Sequence, residues 1–286
     1  MTYSLTDLPF LGSGLGYRAE FADAIADPAH RIDWLEVISD HYLFAPADVR
    51  EKLAELRKRF RIVPHGLELS IGGPEDPNPR YVDALARLVD DVDAPWFSDH
   101  LCYTRAGGVS LATLTPLPRN REVAREVGRR AQRVQDAVGR PLILENVTYH
   151  IDLESPLSEA RFITEVMEHC DCGLLLDLTN LDINSRNHGY STRDFLDTIP
   201  LERVVQVHLA GGVPSDDGRV AIDSHSEPVP PAVWDLLARL VERASVRATL
   251  IERDQDFPED FGEMQEDLDR ARLLLGSATA PTAGVW

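Results

Sequence analysis

The sequence predicts a single (β/α)₈ barrel, the TIM barrel of the α/β class. Eight short apolar or β-branched runs alternate along the chain with longer segments of helical periodicity. No linker rich in proline, glycine and serine interrupts this alternation, and 286 residues lies within the usual length range of one such barrel. Largely apolar strands that are each followed by a helix indicate a parallel sheet covered by helices. An open, doubly wound sheet remains an alternative, because the number of strands does not prove closure.

The eight strands are predicted at the short apolar runs. Their apolar residues stand at consecutive positions, which is typical of strands buried on both faces. The runs are Phe10–Leu15, Asp33–Ser39, Ile62–Leu69, Pro95–Tyr103, Pro141–Val147, Gly173–Asn180, Val204–Gly211 and Ala248–Asp254.

Amphipathic segments fill the intervals between these strands. Several begin with proline or with an Asn, Ser or Asp residue that favours the N-cap of a helix. We therefore expect a barrel domain over residues 1–275 and a disordered tail over residues 276–286, which is rich in Ala, Thr, Pro and Gly. The clearest predicted helices are Pro46–Phe60, Pro79–Val92, Asn120–Val138, Ser158–Cys170, Pro230–Ala244 and Asp260–Leu275.

The charge and the cysteine content exclude several classes of protein. Lys and Arg number 29 against 48 Asp and Glu, and the formal net charge of −19 repels phosphate backbones and anionic membrane surfaces. Three cysteines, Cys102, Cys170 and Cys172, are too few and too unevenly spaced for a disulfide framework or a thiolate metal cage. Without an apolar run of membrane-spanning length or an N-terminal secretion signal, the expected location is the cytoplasm, with no nucleic-acid or membrane partner.

Polar residues stand where the predicted strands end. The active site of a (β/α)₈ barrel forms at the carboxyl ends of its strands, so these residues are expected to surround one axial cavity. Each of them alone is more often a hydrogen-bonding cap, but together they would leave many unpaired charges that cations would compensate. Strand two also ends near Glu36, Asp40 and His41. The predicted metal ligands are His65, His100, Glu145, Asp177, Asn180, His208, Asp223, His225 and Glu252.

The size and chemistry of this ligand set indicate more than one ion. A single first-row metal takes at most about six ligands, so nine candidates predict two or three metals. Imidazoles mixed with carboxylates, without a thiolate, favour iron, manganese or zinc. The alternating spacing of Asp223-x-His225 aims both side chains to one side of an extended segment. Glu145 and Glu252 are expected to bridge metals, because a carboxylate has two oxygens.

These motifs, taken in order, resemble the multinuclear non-haem iron-dependent oxidative enzymes, formerly an uncharacterised bacterial protein family. Each motif alone is weak, but the ordered set is specific, and it covers about Pro9 to Leu275. The matching stretches are Gly12-x-Gly14-Leu15, Pro64-His65-Gly66, Ser98-Asp99-His100-Leu101, Glu145-Asn146-Val147, Asp177-x-x-Asn180, His208-Leu209-Ala210-Gly211, Asp223-x-His225 and Glu252-Arg253-Asp254.

The resemblance implies a xylose-isomerase-like barrel that holds two or three irons in mixed Fe(II)/Fe(III) states. Such enzymes use dioxygen to oxidise a side chain, often cysteine, of a ribosomally made precursor peptide. It further implies a small partner protein that binds the leader peptide, here supplied in trans. The sequence departs from the family at Asp40-His41-Tyr42-Leu43-Phe44, where Glu-Asn-Tyr-Phe is common, so substrate contacts at this segment are expected to differ.

Three further residues in these motifs are candidates for a catalytic role: Asp99, Arg253 and Asp254. Arg253 and Asp254 are expected to orient ligands or to bind a substrate carboxylate, and a salt bridge that caps strand eight is the structural alternative.

Two other functions remain open from the residues alone. A divalent-metal barrel isomerase or hydrolase acting on a sugar or phosphoester would use a similar set of His, Asp and Glu. A non-catalytic metal-binding protein would have no open coordination site and would consume no oxygen.

Overall fold

Residues 3–153 and 155–279 are described by a computed structural model, and within them the predicted barrel is confirmed. Eight parallel strands close into one sheet in the order β1-β12-β9-β8-β7-β4-β3-β2, and the four remaining strands pair as two antiparallel hairpins, β5-β6 and β10-β11. The strands are β1 (Gly12–Gly16), β2 (Trp34–Ile38), β3 (Arg61–Gly66), β4 (Phe97–His100), β5 (Tyr103–Ala106), β6 (Val109–Thr115), β7 (Leu142–Glu145), β8 (Gly173–Asp177), β9 (Val204–Leu209), β10 (Gly211–Pro214), β11 (Ala221–Glu227) and β12 (Ala248–Ile251).

The helices lie outside the sheet, and their starts follow the capping residues. Asn78, Asn120 and Ser158 each accept a hydrogen bond from a backbone N–H in the first turn of the helix that follows. Among the described residues, no helix has the length and apolarity needed to cross a bilayer. The α-helices are α1 (Ala22–Ala26), α2 (Ala47–Arg57), α3 (Pro79–Asp91), α4 (Arg121–Val138), α5 (Glu159–Met167), α6 (Leu178–His188), α7 (Thr192–Thr198), α8 (Pro231–Val241) and α9 (Gly262–Thr279).

The amino end of the barrel is filled by large apolar side chains. Trp34 and Trp96 are fully buried inside the sheet, and the N-terminal residues Leu5, Leu8 and Leu11 pack against this interior cluster. A Cβ at Gly14 would lie 2.3 Å from the Trp34 ring, so only glycine fits at that position of β1. Access to the interior is therefore from the carboxyl ends of the strands.

Some predicted boundaries were wrong. The strand predicted over Gly173–Asn180 ends at Asp177, because the Asp177 carboxylate caps helix α6 by accepting from the backbone N–H of Asn180. Helix α9 continues through 276–279, where the tail was predicted to be disordered, and residues 280–286 lie outside the described residues. The sequence prediction also missed both hairpins.

Candidate metal centre

The barrel strands position polar side chains at one end of the barrel. The register places His100 of β4 opposite Glu145 of β7, and Asp177 of β8 opposite His208 of β9. Paired residues in a parallel sheet share a face, so neighbouring strands present these side chains side by side. Glu252 directly follows β12.

Seven of the predicted ligands form three overlapping sets, in each of which one donor atom per residue lies within 4.8 Å of the others. The His65 set and the His208 set share Glu145, and the His208 set and the His225 set share Asp177. The centre is therefore one continuous cluster. Its parts are the His65 set (His65, His100 and Glu145), the His208 set (Glu145, Asp177 and His208) and the His225 set (Asp177, His225 and Glu252).

The His65 set presents two imidazole nitrogens to one carboxylate oxygen. Nε2 of His65 and Nε2 of His100 each lie 3.4 Å from Oε2 of Glu145. On the opposite side of each ring, Nδ1 of His100 donates to the carbonyl of Gly66 at 3.0 Å, and Nδ1 of His65 lies 2.8 Å from Oγ of Ser98. These contacts orient both rings and leave both Nε2 atoms free to bind a cation.

The His208 set lies at the middle of the cluster. Nδ1 of His208 is 3.6 Å from Oε1 of Glu145 and 3.2 Å from Oε2 of Glu252. The ring is fully buried, and its Nδ1 has no hydrogen-bond partner among the described residues. Glu145 thus directs one oxygen to the His65 set and the other toward His208.

The His225 set joins the barrel to the β10-β11 hairpin. Nδ1 of His225 lies 3.5 Å from Oε2 of Glu252 and 3.3 Å from Oδ2 of Asp254. Nε2 of His225 lies 2.7 Å from Oδ1 of Asp223, the other hairpin residue predicted from the Asp-x-His spacing. The hairpin therefore brings two donors over the strand ends.

Asn180 stands in the first turn of α6, beside Asp177. Its side-chain N–H donates to the carbonyl of Asn146 at 2.9 Å, and this contact fixes the amide. The amide oxygen is buried and has no hydrogen-bond partner among the described residues. Asn180 can thus offer a neutral oxygen to the cluster.

The cluster contains several buried polar atoms that find no hydrogen-bond partner within residues 3–153 and 155–279. A buried donor or acceptor without a partner costs about 1–3 kcal/mol, and more when it is charged, so such atoms rarely accumulate without a ligand. Their concentration here fits bound cations. The atoms are Oε2 of Glu145, Oδ2 of Asp177, Oδ1 of Asn180, Nδ1 of His208, Oδ1 of Asp223 and Nε2 of His225.

The spacing and chemistry of these donors also fit first-row transition metals. Contacts of 3.2 to 3.6 Å join the donors around His208 and Glu145. Two donors bound side by side to one ion at about 2.1 Å are separated by roughly 3 Å, close to these values. Imidazole, carboxylate and amide ligands suit iron, manganese or zinc.

Burial shifts the pKa of several cluster residues in the direction that favours the neutral form. Burial lowers the pKa of His100 to about 4, and burial together with the neighbouring carboxylate of Asp223 raises the pKa of Asp177 to about 7. Burial likewise raises the pKa of Glu145. The pKa values of His208 and Glu252 shift toward the charged forms, although burial opposes the charge on each. The carboxylates of Glu36 and Glu145 raise the pKa of His208. The imidazoles of His225 and His208 lower the pKa of Glu252. Bound cations would stabilise the ionised carboxylates.

Two of the three residues predicted to be catalytic lie away from the cluster. Ser98 contacts His65 and His100 contacts Glu145, so the alternation along β4 turns Asp99 to the opposite face. There the Asp99 carboxylate accepts from the backbone N–H of His100 and lies against Gly66, where an added Cβ would be 2.1 Å from its Oδ2. Arg253 also points away, and its guanidinium donates to the carbonyl of Ser226.

Asp254 does contact the cluster, together with an arginine that the sequence prediction missed. Oδ2 of Asp254 is 3.3 Å from Nδ1 of His225, and its Oδ1 accepts from Nε of Arg18 at 2.9 Å. Nη2 of Arg18 lies 3.3 Å from Oε1 of Glu252. No motif marked Arg18, because it follows β1 and its partners lie more than 230 residues away.

Glu36 is a second residue that the sequence prediction left out of the ligand set. It stands on β2, and its Oε2 lies 3.2 Å from Nε2 of His208, on the side of the ring opposite the cluster. Its position in strand two was visible in the sequence, but its contact with His208 was not. Asp40, by contrast, accepts from the backbone of Leu67 and from the hydroxyl of Tyr81, outside the cluster.

Solved structures with a similar fold include xylose isomerase-like TIM barrels. A D-tagatose 3-epimerase-like protein superposes with a TM-score of 0.63 at 14% identity, over 94% of this chain and 100% of that protein. A xylose isomerase-like TIM barrel protein from Mycobacterium smegmatis, solved in complex with magnesium, gives a TM-score of 0.60 at 14% identity, over 97% and 100% of the two chains. At such identities the likeness shows the fold alone.

Sequence relatives define the family. A UPF0276 protein from Anaeromyxobacter sp. (strain Fw109-5) is 39% identical over 273 residues, which cover 94% of this chain and 95% of the relative. The sequence model of the RiPP precursor modification enzyme family MbnB/TglH/ChrH matches residues 12–275, nearly the whole barrel. The resemblance noted from the motifs is thereby confirmed, and the chain belongs to the MbnB/TglH/ChrH family of RiPP precursor modification enzymes.

Proposed function

We propose that this protein is a multinuclear non-haem iron enzyme that uses dioxygen to oxidise a side chain, often that of cysteine, of a ribosomally made precursor peptide. One observation carries the proposal: three sets of His and carboxylate donors share Glu145 and Asp177 in a single buried cluster. Membership of a family of RiPP precursor modification enzymes supports a peptide substrate. The precursor would enter from the carboxyl ends of the strands, because Trp34 and Trp96 fill the other end.

The chain's own residues would hold two or three irons in mixed Fe(II)/Fe(III) states. Glu145 is suited to bridge the His65 and His208 sets, since its two oxygens face different imidazoles. Glu252 is suited to bridge the His208 and His225 sets, since its Oε2 lies 3.2 Å from Nδ1 of His208 and 3.5 Å from Nδ1 of His225. Asn180 and Asp223 would complete the ligand set with one oxygen each.

Iron bound by these residues would supply the redox chemistry that activates dioxygen. The protein's part is to position the ligands and to neutralise the charge of neighbouring carboxylates. Arg18 holds the carboxylates of Glu252 and Asp254, and Asp254 in turn contacts His225. These four side chains form one connected group. Asp254 is therefore the best placed of the predicted catalytic residues to contact a substrate at the His225 set. A small protein that binds the leader peptide in trans belongs to the proposal as the family's usual partner.

The test begins with protein purified without oxygen. Elemental analysis and Mössbauer spectroscopy count and type the metals, and a Cys-containing precursor encoded beside this gene serves as the substrate. We expect two or three irons per chain, oxygen consumption that depends on the precursor, and a mass change in the peptide. Glu145→Gln should lower the iron content and abolish the mass change, whereas Glu122→Gln, an exposed residue of α4, should change neither.

Other outcomes would point to other functions. Anaerobic conversion of a ketose, or cleavage of a phosphoester, with Mg²⁺ or Mn²⁺ would identify a divalent-metal isomerase or hydrolase and overturn the proposal. Bound metal without oxygen consumption, in the presence of precursor and partner, would identify a metal-binding protein.

A further inference from the structure

His208 faces the metal centre with one ring nitrogen and the barrel interior with the other. Nδ1 lies 3.2 Å from Oε2 of Glu252, within the cluster. Nε2 lies 3.2 Å from Oε2 of Glu36 and 2.9 Å from the side-chain nitrogen of Gln206. A neutral imidazole that gives its Nδ1 lone pair to a cation must carry its proton on Nε2. The surroundings of Nε2 therefore decide whether His208 can bind a cation.

Trp96 fixes the orientation of the Gln206 amide. The indole N–H can only donate, and it lies 2.8 Å from Oε1 of Gln206. The amide NH₂ must then point the other way, where it donates to Oε2 of Glu36 at 2.6 Å and also faces His208. All four side chains are buried, with exposures of 4% for Glu36 and 0% for the other three.

Without Glu36, the Gln206 amide would oppose the binding of a cation at Nδ1 of His208. Gln206 presents only N–H groups to Nε2 of His208, and a donor at that position favours the tautomer with the proton on Nδ1. That tautomer has no lone pair for the cluster. An ionised carboxylate has no donor, and Oε2 of Glu36 lies within reach of both Gln206 and His208, so it can accept from each.

We infer that Glu36 is a positioning residue that accepts a hydrogen bond from Nε2–H of His208 and thereby directs the Nδ1 lone pair to the metal centre. Glu36 belongs to none of the three ligand sets, and the pair comes from β2 and β9, on different sides of the barrel. Carboxylates that hold ligand imidazoles in this way typically change metal affinity about 10- to 100-fold. The inference rests on the part of the proposed function that places a cation at His208, and it does not depend on iron or on the peptide.

The test uses metal-free full-length protein and Zn²⁺ in a chelator competition, with His208→Ala identifying the binding step that needs His208. We expect Glu36→Met to weaken that step about 10- to 100-fold and to leave the steps of the His65 set unchanged. Glu36→Gln retains an acceptor oxygen and should recover most of the affinity. In the double variant Glu36→Met/Gln206→Met the opposing N–H group is gone, so binding should be tighter than in Glu36→Met alone.

Thermal unfolding of the metal-free variants separates positioning from a general loss of structure. Thr249→Val, which alters a buried polar residue of β12 outside the ligand sets, is the matched control and should keep the wild-type affinity. Wild-type affinity in folded Glu36→Met, or weaker binding by the double variant than by the single one, would overturn the inference. A wild-type protein that binds no Zn²⁺ and no iron would overturn the proposed function as well.

Discussion

Oδ1 of Asp223 lies 2.7 Å from Nε2 of His225, and Oδ2 of Asp254 lies 3.3 Å from Nδ1 of the same ring. The imidazole therefore stands between two carboxylates. Burial opposes a charge on the ring, but the carboxylates of Glu252 and Asp223 raise the pKa of His225. A metal ion bound at Nε2 would replace the ring proton that these carboxylates favour, so the pair between the hairpin and the barrel can hold either a proton or a cation.

Replacing Asp223 or His225 should remove one bound ion and leave the other ions in place. We expect Asp223→Ala and His225→Ala to lose about one metal per chain in elemental analysis, because the His65 set shares no residue with the hairpin. Asp217→Asn, at the exposed tip of the same hairpin, is the control and should retain all metals. Unchanged metal content in both alanine variants would exclude the hairpin as a source of ligands.

Glu145 should matter more to metal content than a histidine that belongs to one set only. Its oxygens serve both the His65 and His208 sets, so Glu145→Ala should lower the affinity of two binding steps, each by more than about 100-fold. His65→Ala should lower only one. Zn²⁺ titrations of the two metal-free variants compare these effects directly, and equal losses would contradict a shared role for Glu145.

Arg18 and Arg253 should differ in what their removal changes. Arg18→Met frees the carboxylates of Glu252 and Asp254, so binding at the His225 set should weaken about 10-fold. Arg253→Met leaves the buried carbonyl of Ser226 without its donor and should instead lower the free energy of unfolding by about 1–3 kcal/mol. Zn²⁺ affinity and denaturant unfolding measure the two effects. A loss of affinity in Arg253→Met alone would reverse the roles assigned here.

Removing the metals should destabilise the whole protein. An ion that binds only the folded chain adds about 2.7 kcal/mol at a concentration 100 times its Kd. The melting temperature of chelator-treated protein should therefore rise when Zn²⁺ is returned, and it should rise less in Glu145→Ala. A melting temperature that does not respond to metal in the wild type would argue against binding at these buried donors.

Glu159, at the start of α5, should make stability depend on pH. Burial raises the pKa of this carboxyl to about 7, even though it accepts from the hydroxyl of Tyr190 at 2.9 Å. Because the folded-state pKa lies above the ordinary value of 4.5, the folded protein holds a proton that the unfolded chain releases. The contribution of Glu159 to stability is then fully present below pH 4.5 and is lost as the pH rises through about 7, and it amounts to no more than roughly 3 kcal/mol.

Glu159→Gln isolates this contribution, since the amide does not titrate. Free energies of unfolding at pH 5 and pH 8 should differ less in the variant than in the wild type. An identical difference in both proteins would show that Glu159 is ionised in the folded state across this range.

Much of the fold and most of the ligand types could be predicted from local features of the sequence. The alternation of strand and helix patterns depends on residues that are close together in the sequence. Eight such strand–helix units can form only a few topologies, of which the closed barrel is one. Candidate ligands such as His100, Asp177 and His208 stand at or near strand ends, where topology alone brings them to one side of the molecule. The hairpins escaped prediction because β6 is almost wholly exposed and shows no buried apolar run.

By itself, the sequence determined the barrel, the family and the chemistry of the donors, since each depends on residue type and order along the chain. Only the tertiary structure decided which way Asp99 points, because alternation gives two faces and the register chooses between them. Only the tertiary structure, too, joined Glu36 to His208 and Arg18 to Asp254. Closure of the sheet creates those contacts between distant segments, and no local pattern encodes the distance between two atoms on different strands.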